Sequence, residues 1–481
     1  MYADEIKPGN VLRPDKGREQ LCFYWTLKEL PSWFVSRDQG WFFFGCFPTS
    51  MIGNVAGGYS FLFSLMVECF FDLQQDKLNF GTGIPLSKTS GSFVFKPKFG
   101  FFLADAKALK QLWNLSGENG TKPCFCCANV VGRIEAEGLV NHEYLVHVSS
   151  CEQDRFQLHT PETGATMVRD LAALAGRPAE QKKLGQVCGL QYHENGALWH
   201  PRLQLNHISQ TMYDWMHVLV TSSAVGQYQV NEFAKELKQS WHVSLEYLDH
   251  FAQTFQLPAC YTALPKKFFR DRVCMEANSC IRCFGSEMLV AVRILVALVQ
   301  TVLDPAGVLP EHCRCMKLLG DILDILSSSV ASPARRAVAL EEAVSAHRPL
   351  FAELYPDCRK PKFHWLHHVP AQVRKFDAIM SCFAPERKHR AVKAIANHVS
   401  GPTISQHVAL RLGAEVLDLF GTDTVCRSHF LLEPKRQVPW AKDVVASLLG
   451  IDVIGVEAAR AMVTPAGRIF NGDVASWKNW I

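Results

Sequence analysis

Residues 101–127, FFLADAKALKQLWNLSGENGTKPCFCC, carry three different signals within 27 residues. The first is the apolar run 101–104, which has the length and character of the end of a buried strand and is followed directly by Asp105. Open α/β folds keep their ligands at the carboxyl edge of the sheet, where this carboxylate would lie. Asp105 is therefore a candidate for chemistry, although an aspartate at this position equally suits the N-cap of a following helix.

The other two signals in this segment are a short helix and a pair of cysteines. Residues Ala106–Trp113 follow helical periodicity, and Gly117 and Gly120 end the pattern. Cys124 and Cys127 then have the CxxC spacing that allows two thiolates to bind one zinc ion. Because cysteines are often buried for packing alone, this pair needs further ligands elsewhere in the chain to count as a metal site.

The composition is that of a globular protein large enough for two or three domains, or for one domain with a large insertion. The chain has 481 residues, of which 48% are hydrophobic and 20% are charged. Its formal net charge of +4 is mildly basic, which permits nucleic-acid binding without establishing it.

Cysteine usage and hydropathy predict a soluble protein of a reducing compartment. The 17 cysteines are odd in number and irregularly spaced, which favours free thiols, a few of them bound to metal, in the cytosol or nucleus. The first ten residues, MYADEIKPGN, lack the basic and apolar pattern of a secretory leader. The most apolar run, 288–303, is interrupted by Arg293 and is shorter than a membrane span, so we expect a buried helix there and no membrane partner.

The order of strands and helices in the first 150 residues predicts an α/β domain. The predicted elements are a strand ending at Asp4, strands at 21–27, 41–47 and 93–103, and a core helix at 57–73. With an acid at the end of the first strand and another, Asp105, at the end of the fourth, this is the order of ribonuclease-H-like folds.

The rest of the chain divides into a helical insertion, a return to the core and a C-terminal segment. Residues 151–355 carry long amphipathic helical patterns, such as 227–256 and 286–303. The predicted organisation is a core at 1–150 that includes the cysteine pair, a helical insertion at 151–355, the second part of the core at 356–400 and a C-terminal region at 401–481. This last region is predicted to contain a helix over 404–420 and then a small segment with hairpins near 465–467 and 472–473.

Residues 360–393 are the second informative stretch. His364, His367 and His368 stand at i, i+3 and i+4, so two of them can point the same way from one helical turn. A histidine-rich helix is more often a solvated face, so these residues alone do not establish a metal site. Eighteen residues after His368, Glu386 lies in the first turn of a predicted helix rich in Arg and Lys, where a glutamate also suits the helix dipole.

Taken together, these stretches resemble the DDE transposases of the CACTA (En/Spm) type, whose relatives include the catalytic subunit of the V(D)J recombinase. The resemblance spans most of residues 1–400 and depends on the order and spacing of its elements rather than on any one motif. The matching elements are, in chain order, Asp4 in YADEIKPGN, Glu29-Leu30-Pro31, Asp105 followed by Cys124 and Cys127, Asp214-Trp215-Met216-His217, the histidines from His364 to His368, and Phe383-Ala384-Pro385-Glu386-Arg387.

The resemblance implies a ribonuclease-H-like mixed sheet core interrupted by a large, mostly helical insertion, with a small C-terminal segment. In such a core Asp4, Asp105 and Glu386 would be the catalytic acids and would hold two Mg²⁺ or Mn²⁺ ions, which prefer hard oxygen ligands. Asp214 and His217 would assist near the active site, although a position in helix packing would explain them as well.

A structural zinc ion is also implied. Its ligands would be Cys124, Cys127, His364 and His368, since two thiolates and two imidazoles suit zinc and fill its four positions. The sequence does not settle which two of His364, His367 and His368 bind, and Cys126 is the spare thiol.

DNA is the partner that the resemblance implies, both as transposon ends and as target, bound by a homodimer in the nucleus. The expected phosphate contacts are Arg387, Lys388, Arg390 and Lys393, which would attract DNA without reading its sequence.

The leading hypothesis is therefore a DDE transposase, or a transposon-derived remnant of one, that cleaves DNA and transfers strands with divalent metal ions. The alternative is a catalytically inactive, zinc-stabilised nucleic-acid-binding protein of the same fold. An active enzyme needs three carboxylates within reach of the metal ions, whereas a binding protein needs only the zinc site and a basic surface. A cellular nuclease of the same fold is a third hypothesis, but it would not need the large insertion.

Overall fold

The chain is a mixed α/β protein, as its sequence predicts, with many helices and several small sheets. The computed structural model describes residues 1–9, 15–72, 79–88, 91–132, 144–255, 257, 261–328, 332–399, 403–421, 431–437, 457–464 and 467–470.

The strands and helices of the described residues have the following bounds. The strands are β1 (Tyr2–Ile6), β2 (Gln20–Trp25), β3 (Phe42–Pro48), β4 (Ile84–Lys88), β5 (Gly91–Phe95), β6 (Phe102–Ala104), β7 (Val130–Val131), β8 (Val146–His147), β9 (Thr211–Tyr213), β10 (Leu431–Gln437), β11 (Glu457–Thr464) and β12 (Gly467–Phe470). The α-helices are α1 (Ser32–Val35), α2 (Thr49–Ile52), α3 (Gly58–Phe71), α4 (Ala106–Trp113), α5 (Pro161–Ala173), α6 (Pro178–Cys188), α7 (Trp215–Leu219), α8 (Val225–Ser240), α9 (Leu245–Gln253), α10 (Phe268–Arg272), α11 (Gly285–Leu298), α12 (Pro310–Ser327), α13 (Pro333–Leu354), α14 (Pro361–Leu366), α15 (His368–Phe376), α16 (Phe383–Ala396) and α17 (Ile404–Gly421).

Two small sheets meet at Met1. Strands β1, β2 and β3 form an antiparallel sheet, and β6 pairs with β9 in parallel. The amino group of Met1 donates to the carbonyl of Phe101 at 3.0 Å, and the N–H of Leu103 donates to the carbonyl of Met1 at 2.9 Å, which is the bonding pattern of parallel strands. The strands therefore lie side by side in the order β3-β2-β1-β6-β9.

The predicted strand at 93–103 is wrong as a single element, because the structure divides it. Residues Gly91–Phe95 pair with β4 in an antiparallel hairpin, whereas Phe102–Ala104 pair with β9. Pro97 lies between the two strands and has no N–H to donate to a sheet, so pairing stops there and resumes with a different partner.

Strand β6 is buried on both faces, which explains its apolar sequence. Its Phe102 is fully buried and packs on Phe63 of α3 with ring centroids 5.2 Å apart. Trp113 of α4 packs on the same Phe63 at 5.1 Å, and Phe101 contacts Phe376 of α15 at 4.4 Å. Helices therefore cover both sides of this strand, and its carboxyl end is fixed by the packing around it.

The predicted helical insertion at 151–355 contains the helices α5 to α13, but it also contains β9, which pairs with β6 in the core. One helix predicted within this region is wrong in extent. The pattern at 227–256 forms two helices, α8 and α9, rather than one. His242 between them has a positive φ of 54°, and the Ser244 side chain accepts a hydrogen bond from the N–H of Tyr247 and so begins α9. The N-cap interaction begins a second, separate helix.

The most apolar helical segment has nearly the bounds of the helical pattern predicted at 286–303. Helix α11 continues through a π-helical turn at Val299–Leu303, so the segment Gly285–Leu303 spans 19 residues. By length and hydropathy alone it could cross a membrane, which corrects the expectation that it is too short. In the structure 56% of its most apolar window is buried, and Met288, Ala291 and Leu295 pack in the core.

The C-terminal segment begins with α17, which has nearly the predicted bounds. Strands β10, β11 and β12 then form an antiparallel sheet, and the β11–β12 hairpin coincides with the turn predicted near 465–467. The second predicted turn, at 472–473, lies outside the described residues.

Replacing Phe102 by alanine should destabilise the fold by about 3–5 kcal/mol, because it removes a fully buried ring and leaves a cavity beside β6. The same replacement at Phe284, whose side chain is 73% exposed, should change the free energy of unfolding by less than about 0.5 kcal/mol. Urea denaturation of both variants measures the difference. Equal midpoints for the two variants would contradict the central position of β6.

Candidate functional site

Two parallel strands bring two aspartates to one edge of the sheet. Ala104 of β6 lies opposite Tyr213 of β9 in the register, so the next residues, Asp105 and Asp214, both emerge at the carboxyl ends of these strands. The N–H of Asp214 also approaches the carbonyl of Ala104 at 3.4 Å. Parallel pairing thus places together two carboxylates that are 109 positions apart in the chain, 214 minus 105.

Asp105 has the capping role that its sequence position suggested, and it lies at the carboxyl end of β6. It is the N-cap of α4, where one carboxylate oxygen accepts a hydrogen bond from the N–H of Ala108 at 2.7 Å. Burial raises the pKa of Asp105, and the nearby charge of His217 opposes this effect. The capping hydrogen bond therefore fixes the Asp105 carboxylate at the edge of the sheet, where it still interacts with the charges of His217 and Asp4.

Asp4 lies in the middle of β1, because the strand continues to Ile6, and not at the end of the first strand as the sequence predicted. The hydroxyl of Tyr2 donates to its Oδ2 at 3.2 Å, and the N–H of Glu5 donates to its Oδ1 at 2.7 Å. His389 Nε2 lies 3.6 Å from the same Oδ2. Burial tends to raise the pKa of Asp4, but the contact with His389, the Glu5 N–H and the charge of His217 together outweigh burial and lower it.

Asp214 is fully buried and orients His217. Its carboxylate caps α7 by accepting hydrogen bonds from the N–H groups of Met216 and His217, at 3.3 and 3.1 Å. His217 Nδ1 lies 2.5 Å from Asp214 Oδ2, which leaves Nε2 directed at Glu386 Oε1, 3.3 Å away. An aspartate that holds one imidazole nitrogen sets the direction of the other.

Helix α16 carries Glu386 to this edge in its first turn. The N–H of Cys382, which precedes the helix, donates to Asp214 Oδ1 at 3.0 Å and ties the start of the helix to β9. Glu386 is therefore placed by the same aspartate that orients His217. We call Asp4, Asp105, Asp214, His217 and Glu386 the acidic pocket.

The charges of the acidic pocket act on one another. Burial raises the pKa of Glu386 to about 7, with further increases from Asp214, Asp4 and Asp105, while His217 opposes them. Burial tends to lower the pKa of His217, but the hydrogen bond to Asp214 and the other carboxylates outweigh it and raise the value to about 9. The carboxylates repel one another, and the charge of His217 offsets part of this repulsion.

His389 is a neighbour of this pocket that sequence reasoning missed. It follows Glu386 by three positions, so both lie on the same face of α16. Its Nδ1 lies 3.1 Å from the hydroxyl of Tyr24, and its ring packs on Tyr2 and Tyr24. The spacing from Glu386 was the only available signal, and it did not distinguish this histidine from a surface residue.

A second group of side chains could hold one metal ion. Its members are Cys124, Cys127, His364 and His368, all buried, with their ligand atoms within 4.8 Å of one another. Cys124 Sγ lies 3.3 Å from His368 Nε2, Cys127 Sγ lies 3.4 Å from His364 Nε2, and the two imidazole Nε2 atoms are 3.1 Å apart. We call these four residues the clip.

The other two candidate ligands lie outside the clip. The ring of His367 packs on Phe156 with centroids 5.3 Å apart, and its imidazole is not among the grouped ligand atoms. Cys126 Sγ is approached by the side-chain amide of Gln372 at 3.9 Å. The structure thus brings together His364 and His368, the pair that the i, i+4 spacing favoured.

Several basic residues predicted to contact phosphate are engaged with the protein itself. Lys388 is buried and donates to the carbonyl of Asp38 at 3.1 Å, and Arg387 donates to the carbonyl of Ser36. Arg390 is exposed and Lys393 is partly exposed. Of these four residues of α16, Arg390 and Lys393 are the better placed to attract a polyanion from solvent.

Comparison with known proteins adds no family assignment. No protein-family model matches the sequence, and no curated protein matches it.

Replacing Cys124 by serine should abolish metal binding at the clip, because it removes one of two thiolates from a four-ligand site. The wild-type protein should contain about one equivalent of transition metal, and the variant close to none, as measured by elemental analysis of purified protein.

Cys126→Ser and His367→Ala are matched controls, since each removes a neighbouring thiol or imidazole that lies outside the clip. Both should keep the full metal content. Loss of metal from His367→Ala, or full retention by Cys124→Ser, would show that the ligands are assigned incorrectly.

Proposed function

We propose that the protein is a DDE-type DNA transposase of the CACTA kind, or a transposon-derived remnant of one, acting in the nucleus. The observation that supports the proposal is the position of three acids near His217: Glu386 Oε1 lies 3.3 Å from its Nε2, and the charge of the imidazole acts on both Asp4 and Asp105. These residues come from three distant parts of the chain, and their types are those expected of a site for divalent metal ions.

The strand order supports a ribonuclease-H-like core. Strands β1, β2 and β3 are antiparallel, and β6 and β9 continue the sheet beyond β1 in the order β3-β2-β1-β6-β9. The helices α7 to α15 separate β9 from α16, the helix with Glu386. Both features agree with the fold that the resemblance to CACTA transposases implies.

Asp4, Asp105 and Glu386 would hold two Mg²⁺ or Mn²⁺ ions, which would activate a water or a 3′-hydroxyl and stabilise the leaving oxygen. Carboxylate oxygens suit these hard cations. Burial is the main cause of the raised pKa of Glu386, and positive charge in the pocket would relieve the repulsion from the other carboxylates that adds to it. His217 keeps Glu386 oriented through its 3.3 Å contact, and Asp214 keeps His217 in place.

The clip fits a structural zinc ion. Zinc–sulfur bonds of about 2.3 Å and zinc–nitrogen bonds of about 2.0 Å in a tetrahedron place sulfur and nitrogen ligands roughly 3.5 Å apart. The sulfur–nitrogen distances of 3.3–3.4 Å in the clip agree with this spacing. Cys124 and Cys127 precede β7, while His364 and His368 lie in α14 and α15, so zinc would join the part of the core after Asp105 to the part before Glu386.

DNA would be the partner, both as transposon ends and as target, bound by a homodimer. Arg390 and Lys393 on the outer side of α16 would contact phosphates close to Glu386 without reading the base sequence.

A catalytically inactive nucleic-acid-binding protein of the same fold is the second candidate. It is favoured by the contacts of Asp4, whose oxygens already accept hydrogen bonds from Tyr2 and Glu5 and lie near His389. A carboxylate satisfied in this way has less need of a metal ion. The clip and the basic residues would be needed in either case.

Asp105→Asn should lower metal-dependent nicking and joining of plasmid DNA by roughly a thousandfold, the equivalent of about 4 kcal/mol, because an amide binds divalent cations far more weakly than a carboxylate. Asparagine is as good an N-cap as aspartate, so α4 and the melting temperature should be preserved. Asp170→Asn, at a side chain that is 52% exposed and lies outside the pocket, should nick as the wild type does. Equal nicking by wild type and Asp105→Asn would exclude a catalytic role of Asp105. If neither the wild type nor any variant nicks DNA, the result would favour the inactive binding protein.

Replacing Arg390 and Lys393 together by alanine should reduce the slope of log K against log salt for duplex DNA by about 2, since each lost phosphate contact removes about 0.9. Lys388→Ala should leave that slope unchanged, because its ammonium is bonded to the Asp38 carbonyl. Filter binding or fluorescence anisotropy at several salt concentrations gives the slopes. A loss at Lys388 as large as at the other two would mean that this side chain turns outward to meet DNA.

A further inference from the structure

We propose that Tyr213 couples the clip to the acidic pocket: its hydroxyl donates to the thiolate of Cys124, while its main chain holds the strand that ends at Asp214. Tyr213 thereby acts as a positioning residue through which metal at the clip fixes the geometry of the pocket. The part of this inference that concerns the pocket depends on the proposed function, whereas the contact with the clip does not.

The side chain of Tyr213 belongs to the surroundings of the clip. Its hydroxyl lies 3.7 Å from Cys124 Sγ, and its ring is buried. It stacks on Trp365 with centroids 4.9 Å apart and planes inclined by 13°, and on His368 at 6.3 Å. The indole N–H of Trp365 donates to the carbonyl of Pro123 at 3.0 Å, directly before Cys124. The tyrosine is thus packed between both halves of the clip.

The main chain of Tyr213 is tied to the same helix that supplies a clip ligand. Its N–H donates to the side-chain oxygen of Gln372 at 2.8 Å, and the Gln372 amide donates to the carbonyl of Thr211 at 3.5 Å. Gln372 follows His368 by four positions in α15, so both face the same way. One face of this helix therefore carries a ligand for the clip and an amide that holds β9.

The acidic pocket begins at the residue after Tyr213. Asp214 caps α7, accepts a hydrogen bond from Cys382 at the start of α16, and orients His217 toward Glu386. A displacement of the end of β9 would move all of these contacts together.

The physical basis of the coupling is the hydrogen bond to a metal-bound thiolate. Groups that donate to first-shell ligands orient them and tune their basicity, and their removal typically costs 10–100-fold in metal affinity. A phenol is neutral at physiological pH and can only donate to a thiolate, so the direction of this bond is fixed. With metal bound, Cys124 is held in place and in turn holds the Tyr213 ring.

Tyr213→Phe tests the hydroxyl alone, because phenylalanine keeps the ring stacking on Trp365. The variant should still bind one equivalent of Co²⁺ at the clip, with an affinity about tenfold lower and a shifted thiolate-to-cobalt charge-transfer band. Tyr192→Phe, which removes a hydroxyl from a ring packed on Trp199, is the matched control and should leave the spectrum and the affinity unchanged. A purely structural role of Tyr213 would not move the cobalt band.

The coupling to the pocket is tested with Mn²⁺, counted by electron paramagnetic resonance on protein whose clip is filled. Tyr213→Phe should weaken Mn²⁺ binding roughly three- to thirtyfold, the range of coupling found for residues between two sites. Gln372→Met, which loses both hydrogen bonds to β9 but keeps the length of the side chain, should weaken Mn²⁺ binding while the cobalt band stays in place. If Tyr213→Phe folds poorly, Gln372→Met still tests the coupling between β9 and the acidic pocket.

The two readouts separate the outcomes. An unchanged cobalt band and unchanged affinity in Tyr213→Phe would overturn the contact with the clip. A shifted band with wild-type Mn²⁺ affinity in both variants would overturn the coupling. Absence of Mn²⁺ binding to the wild-type chain would overturn the proposed function together with the coupling, while the cobalt spectra would still decide the contact.

Discussion

The main-chain pairing between Met1 and β6 is the contact on which the rest of the structure depends. Two hydrogen bonds, to Phe101 and from Leu103, join the antiparallel strands to the parallel pair. They place β1, which contains Asp4, beside the strand that precedes Asp105, and the ion pair between Glu5 and Lys107 adds a side-chain link between β1 and α4. Because Met1 and Phe101 are 100 residues apart, their contact closes a long loop, which costs conformational entropy. The burial of β6 between two layers of helices offsets this cost.

In the second half of the chain, Asp214 is the residue that joins the end of β9 to α7 and to the start of α16. Every hydrogen bond that its carboxylate makes within the described residues goes to an element that supplies another member of the pocket or supports one. A buried carboxylate is costly unless its oxygens are satisfied, and here four N–H groups satisfy them. The residue is thus better understood as a structural centre that orients His217 and the start of α16 than as a group that meets substrate.

The parts of this arrangement that depend on local sequence patterns could be predicted, whereas those that depend on contacts between distant residues could not. The end of β6 at Asp105, the bounds of α4, the CxxC pair and the i, i+4 histidines are local patterns, and the structure contains each of them. The division of 93–103 depended on Pro97, a local signal that was outweighed by the apolar residues around it. The inward direction of Lys388 and the role of His389 depend on contacts with residues about 350 positions away, which no local pattern records.

The clip also determines how the helical region between its two halves is attached. Cys124 and His368 are 244 positions apart, and the chain between them adds β9 to the sheet beside β6 and then passes through helices before it returns to the clip. The entropy of closing such a loop grows only with the logarithm of its length, so adding or deleting a helix pair at its far end changes the free energy of the closed form by less than about 1 kcal/mol. The helical region can therefore differ in size and surface between related chains while the distances within the clip and the acidic pocket stay the same.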